Sequence, residues 1–127
     1  MKITCGTDII EIDRVKESIE ELGEKFIERV FTDKEIEYCE SRKGQKYQHY
    51  AGRFAAKEAA FKAISKILDN KYSVCWKDFE IIDDEQGRPY LNFCNVNTKD
   101  IESIDISISH CKLYATANVV ILFNDYN

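Results

Sequence analysis

The sequence predicts an α+β fold, a mainly antiparallel sheet packed with one long and several shorter helices, on three observations. After a short β-rich opening, helical periodicity runs through the first half of the chain. From residue 72 the period changes to two. The stretch Asp83 to Pro89 is dense in breakers and separates two apolar runs, as in a hairpin. Early helices and late hairpins favour a segregated α+β arrangement over a doubly wound parallel sheet, in which the two alternate. At 127 residues, 44% hydrophobic, with one proline and no repeat or linker, the chain is expected to form one domain over 1–127.

The elements follow in order. Residues 3–12, Ile-Thr-Cys-Gly-Thr-Asp-Ile-Ile-Glu-Ile, read as a strand with Asp8 at or near its end. Residues 13–30 read as one helix, because Val15, Ile19, Leu22 and Phe26 form a single apolar stripe. Glu17, Glu20, Glu21 and Glu24 fall elsewhere on it. Thr32 followed by Glu35 is a capping-box pattern that starts a second, short helix. Residues 42–50 read as a loop or frayed helix end. The alanine-rich stretch Ala51–Leu68 is the clearest helix, with Ala56, Ala60, Ala63, Ile64 and Ile67 facing a core. Val74, Trp76, Phe79 and Ile81 suggest a strand whose hairpin partner is Tyr90–Phe93. Residues 98–103 read as a short helix capped by Thr98. Ile104, Ile106 and Ile108 alternate with polar residues as a half-buried strand, and His110-Cys-Lys-Leu connects tightly to a final strand, Tyr114–Phe123.

Composition excludes several function classes. The net charge of −5 argues against a general nucleic-acid binder. No apolar run approaches the ~20 residues of a membrane span, and the start lacks a signal-peptide core, so a cytoplasmic location is expected. Five widely spaced cysteines without a CxxC pair read as reduced, mostly buried thiols rather than a disulfide framework or zinc site. The two histidines, His49 and His110, cannot form a zinc site alone.

Three segments place polar groups among apolar ones. Asp8 follows Gly6-Thr7, where a carboxylate caps a turn or binds a cation. In Gly52-Arg-Phe-Ala-Ala-Lys-Glu-Ala-Ala-Phe-Lys62, Arg53 and Lys57 share one helix face, and Phe54, Glu58 and Lys62 share the adjoining one. His110 ends the Ile106-Ser-Ile-Ser run, where it is a general base, a phosphate contact or a turn residue. The Gly87-Arg88-Pro89 turn offers a flexible backbone and a cation to an anion. Two carboxylates on separate elements plus several cations suit a magnesium ion shared with a phosphorylated substrate. No GxxxxGK[ST], GxGxxG or GxSxG motif occurs, which disfavours P-loop, Rossmann and serine-hydrolase readings.

Taken together, Gly6-Thr-Asp8-Ile-Ile-Glu-Ile-Asp-Arg14-Val, Phe31-Thr-Asp-Lys-Glu35, Ala51-Gly-Arg-Phe-Ala-Ala-Lys57-Glu58-Ala, Gly87-Arg-Pro89 and Ile106-Ser-Ile-Ser-His110 resemble the holo-acyl carrier protein synthases. These are the small trimeric class of 4'-phosphopantetheinyl transferases, and the likeness spans nearly the whole chain. The resemblance implies a 4'-phosphopantetheinyl transferase-like fold. It also implies transfer of the 4'-phosphopantetheine arm of coenzyme A to a serine of apo-acyl carrier protein in fatty acid biosynthesis, with release of adenosine 3',5'-bisphosphate. It assigns Asp8, Glu58 and Lys62 to catalysis and Asp8 and Glu58 to a Mg2+ ion. Coenzyme A would be held by Arg53, Lys57, Lys62, Gly87, Arg88, Pro89 and His110. The acidic carrier would meet Arg14, Val15, Phe26, Arg29 and Phe54. A homotrimer with sites between subunits is implied as well. The first helix departs from the family pattern, because its cations are interleaved with glutamates. Two other readings are a non-catalytic coenzyme A-binding module and a transferase for the carrier domain of a large synthase.

Overall fold

The computed structural model describes residues 2–65, 68 and 74–124. In chain order the elements are β1 (Lys2–Glu11), α1 (Ile12–Leu22), α2 (Glu24–Val30), α3 (Asp33–Ser41), α4 (Lys46–Ile64), β2 (Phe79–Asp83), β3 (Pro89–Phe93), β4 (Ile101–His110) and β5 (Tyr114–Phe123). Strands β1, β5 and β4 form one antiparallel sheet with β5 in the middle, and β2 and β3 form a separate antiparallel hairpin. The α+β architecture matches the expectation.

Helix α4 lies across β1 and β5 because its inner face is made of very small residues. Ala55, Ala56, Ala59, Ala60 and Ala63 are fully buried and pack with Ala117, Val119 and Ile121 of β5. Short side chains let helix and sheet backbones approach closely, and Gly6 marks the tightest point. A Cβ built there would lie 1.9 Å from the Ala59 carbonyl oxygen, so only glycine fits. Two residues back on the same side of β1, the Thr4 hydroxyl donates to the Ala63 carbonyl at 2.6 Å. A second core, built from Ile12, Val15, Ile19, Val30, Phe31 and Tyr50, fills the space between α1, α2 and the start of α4.

Several sequence expectations are corrected. The helix expected over 13–30 is broken at Gly23, whose positive φ of 60° ends α1 and whose N–H bonds the Ile19 carbonyl at 2.8 Å. The change of axis leaves Leu22 56% exposed, off the apolar stripe. Helix α4 starts at Lys46, not Ala51, because Tyr50 is fully buried and its hydroxyl donates to Glu40 at 2.7 Å, which draws the aromatic stretch into the helix. Ile67 lies outside the described residues. Trp76 sits in a 3₁₀ turn (Trp76–Asp78) ahead of β2, held by the Asp78 carboxylate accepting the Cys75 N–H at 2.8 Å. The helix expected over 98–103 is instead a turn leading into β4, whose first residue, Ile101, pairs with Phe123. A long β5 offers backbone partners there that outweigh the Thr98 cap signal. The Thr32–Glu35 capping box is present as expected. All five cysteines are free, but only Cys39 is buried, and burial pushes its thiol up to about 12. Among the described residues no helix is long and apolar enough to cross a membrane.

Candidate functional site

The open face of α4 carries Phe54, Glu58 and Lys62, four residues apart, and β1 delivers Asp8 beside it. Alternation puts Thr4, Gly6 and Asp8 on one side of β1, and the close approach at Gly6 carries Asp8 up to the last turn of α4. There the Lys62 ammonium stands 3.4 Å from Asp8 Oδ1 and donates to the Thr7 carbonyl at 2.9 Å. Glu58 is half-buried. Its carboxyl is held above the ordinary carboxylate range, first by burial and then by the negative charge of Asp8, with Lys62 pulling the other way. Asp8, Glu58 and Lys62 therefore share one electrostatic field although they come from two elements. Glu58 also lines a cavity of about 540 Å³ whose other walls are Arg29, Phe61, Val74, Cys75, Trp76 and Phe79.

Asp8 and Glu58, whose ionisation is opposed by burial and by the Asp8 charge, could together hold a divalent cation. Asp8 and Glu58 are the oxygen donors available there. No cluster of three or more His, Cys, Asp or Glu side chains suited to a metal occurs among the described residues. The remaining ligands of any ion at this pair would be water or substrate oxygens, which suits magnesium.

The adjoining face of α4 is closed. Lys57, expected beside coenzyme A phosphates, instead turns inward. Its side chain is fully buried, with Nζ 2.7 Å from Glu35 Oε1 and bonded to the carbonyls of Trp76 and Phe79. Arg53, one turn earlier, is 4% exposed. Its guanidinium lies over the Tyr38 ring at 4.0 Å and 3.6 Å from Asp83, while its Nε has no hydrogen-bond partner among the described residues. The rings of Tyr38 and His49 meet edge-on at 5.3 Å, and His49 meets His110 at 6.0 Å. Neither His49 nor Tyr38 is among the residues expected at the site. The available signal was the four-residue spacing of His49, Arg53 and Lys57, hidden by starting the helix at Ala51. Burial, then the charges of Arg53 and His110, lower the His49 pKa, so this imidazole is neutral at pH 7.

The Gly87–Pro89 turn stands at the tip of the β2–β3 hairpin. Gly87 has a φ of 79°, and the Asp84 carboxylate accepts the N–H groups of Gln86 and Arg88 at 2.8 and 2.9 Å. Arg88 and Pro89 line an open hollow of about 380 Å³ with Asp105, Ser107 and Ile108 of β4. Among the described residues no hydrogen bond or ion pair joins Arg53, Arg88 or His110 to Asp8, Glu58 or Lys62.

The expected carrier-facing residues divide. Arg14 is exposed, 3.7 Å from Glu11. Arg29 stands at the Glu58 cavity. Phe26 and Phe54 are half-buried with ring centres 6.3 Å apart, and Phe54 also meets Trp76 at 5.1 Å. Val15 is 2% exposed and belongs to the core, so the expectation that it meets a carrier is overturned by its packing on the inner side of α1.

Comparison with known proteins bears on this geometry. The family model for the 4'-phosphopantetheinyl transferase superfamily matches residues 4–120. A holo-[acyl-carrier-protein] synthase of Ruminiclostridium cellulolyticum is 46% identical over 130 residues, covering 98% of this chain and 96% of the relative. A crystal structure of a holo-(acyl-carrier-protein) synthase from Bacillus anthracis, in complex with CoA (3',5'-ADP), superposes with a TM-score of 0.77 at 34% identity, covering 93% of this chain and 94% of that one. The holo-[acyl-carrier-protein] synthase of Helicobacter pylori in complex with coenzyme A superposes with a TM-score of 0.80 at 30% identity, over 93% and 99% of the two chains. Motifs, fold and extent of match agree, and the chain belongs to the 4'-phosphopantetheinyl transferase superfamily.

Proposed function

We propose that the chain transfers the 4'-phosphopantetheine group of coenzyme A to a serine hydroxyl of an apo-acyl carrier protein, yielding holo-acyl carrier protein and adenosine 3',5'-bisphosphate for fatty acid biosynthesis. The observation that carries this reading is the pairing of Asp8 and Lys62 within the electrostatic field of Glu58, which itself lines an apolar-walled cavity. The relatives' names and the coenzyme A in two solved neighbours support it.

In the reaction the serine oxygen forms a bond to the β-phosphorus of the pyrophosphate, and the bond from that phosphorus to the bridging oxygen breaks. The electron pair and negative charge pass to the α-phosphate. Little covalent chemistry falls to the protein, so positioning and electrostatics do most of the work. Asp8 and Glu58 would hold Mg2+, which when bound supplies charge neutralisation on the phosphate oxygens. The half-exposed Lys62 ammonium could add a second positive charge near the leaving oxygen. Glu58, its carboxyl held high, suits transient custody of the serine proton through a water. The apolar cavity wall gives the pantetheine arm a surface. Arg88 and His110 offer cationic or hydrogen-bonding contacts for the nucleotide end, and Arg14, Arg29, Phe26 and Phe54 offer contacts for the carrier.

A homotrimer fits the uncovered outer face of the large sheet, where Ile3 and Ile9 of β1 are each 64% exposed and Val120 of β5 is 43% exposed. A cytoplasmic location fits a substrate made and used there. The test is intact-mass spectrometry of apo-acyl carrier protein incubated with the chain, coenzyme A and magnesium. A phosphopantetheine-sized gain that is lost without metal is expected. Absence of any gain with several carriers would leave a coenzyme A-binding module without this chemistry.

A further inference from the structure

A lysine ammonium has three N–H donors and no acceptor. At Lys57 all three are taken: by Glu35 Oε1 at 2.7 Å, by the Trp76 carbonyl at 3.1 Å and by the Phe79 carbonyl. No proton is left for a phosphate, and the fully buried side chain offers no approach to one. The partners are fixed in turn. Glu35 Oε1 also accepts the Thr32 N–H at 2.9 Å, and Oε2 accepts the Ile81 N–H at 2.8 Å, so one carboxylate ties the start of α3 to β2. The two carbonyls that Lys57 grips belong to Trp76 and Phe79, and both residues line the cavity in which Glu58 sits. Lys57 is Glu58's neighbour on α4, so the clamp acts between the helix turn that presents the carboxylate and the wall opposite it. The indole of Trp76 is further braced by Phe54 at 5.1 Å.

From this geometry we infer that Lys57 is a positioning residue: with Glu35 it clamps the Trp76–Phe79 segment to α4 and so sets the spacing between Glu58 and the facing wall. The inference rests on the transferase reading for its kinetic consequence, not for the clamp itself.

Trp76 is the sole tryptophan of the chain, so its fluorescence reports the wall directly. Lys57→Met alone strands Glu35 in the core and can fail to fold. The informative variant is therefore the double change Lys57→Met/Glu35→Gln, which removes both charges, with folding checked by far-ultraviolet circular dichroism and a cooperative melt. The expected result is a folded protein whose Trp76 emission shifts to the red and is quenched more readily by acrylamide. Its transferase kcat/KM should fall by about 100-fold, the scale of a 1 Å misplacement at a reacting group. That loss should fall on kcat as well as on KM for coenzyme A. Unchanged Trp76 emission and quenching in the folded double variant would overturn the clamp. A shifted emission with intact kcat/KM would overturn the positioning role, as would a loss confined to KM with Trp76 undisturbed, the signature of a direct phosphate contact. Should the unaltered chain transfer nothing, the transferase reading fails, and the fluorescence arm, which needs no substrate, still decides the clamp.

Discussion

On α4 the ammonium groups of Lys57 and Lys62 stand five residues apart in opposite settings. Lys57 is fully enclosed, with every donor used by Glu35 and two backbone carbonyls. Lys62 is 52% exposed, and its 3.4 Å contact with Asp8 is loose. The acidic partners differ in the same way. Glu35 is locked by two backbone N–H groups. Glu58 faces a cavity with a carboxyl whose ionisation is opposed by burial and by Asp8. Lys57 and Glu35 have satisfied their charges internally, as a structural ion pair must. The open face keeps its charges available, as a site that receives a charged ligand must.

The sharpest way to break this comparison is to remove each ammonium. Lys57→Met should destabilise the fold by about 3–5 kcal/mol, because it leaves Glu35 buried and unpaired. Lys62→Met should stay within about 1 kcal/mol, as for an exposed pair. Urea denaturation midpoints measure both, and equal losses would erase the distinction between the faces.

The next effect tests what brings Asp8 to the open face. Gly6→Ala places a methyl against the Ala59 carbonyl and should destabilise by about 1–3 kcal/mol or more, as overpacking does. Gly52→Ala should cost less, because its nearest neighbour, at 3.0 Å, is a side-chain methyl of Ile108 that can shift. Paired thermal melts check the order.

A third, smaller effect concerns Glu58 and pH. Its pKa in the folded chain is raised, so between the ordinary carboxylate value and the raised one the folded state binds more protons than the unfolded state. Stability of the metal-free protein should therefore decline as pH climbs through that window, and Glu58→Gln should remove that part of the slope. Asp8→Asn should lower the Glu58 pKa by deleting a like charge, which a carbon-detected NMR titration of the carboxyl would register. An unmoved titration would separate the two carboxylates.

The smallest effect is at the rim. Arg14 is exposed and, among the described residues, its ion pair is with Glu11, so Arg14→Ala should change stability by no more than about 0.5 kcal/mol. Its effect should appear in the association rate with an acidic carrier. Because glutamates are interleaved with the cations of α1 and α2, that rate should depend only weakly on salt; stopped-flow measurements across ionic strength would show a steep fall if this is wrong.

Much of this was legible in the sequence because it is local. Four-residue spacing separated the Arg53/Lys57 face from the Phe54/Glu58/Lys62 face, and the capping box at Thr32 announced α3. Alternation announced the strands. What sequence could not tell is which face is closed, since that depends on Glu35 and Asp83, carried in from α3 and β2 by tertiary packing. Lys57, expected at the ligand, and Val15, expected at a partner, are both enclosed. One glycine inside a sustained apolar period is a weak signal beside the period itself, so the spacing does not announce the Gly23 break. His49 escaped because its helical phase appears only once α4 is extended back to Lys46.

If the open face of α4 does the chemistry, the transfer rate of Glu58→Gln beside the unaltered chain, at saturating coenzyme A, carrier and magnesium, must show it. A loss of about 100- to 1,000-fold is expected, the scale of removing one electrostatic stabiliser, in a protein at least as stable as the original. A variant that modifies the carrier at the original rate would contradict it.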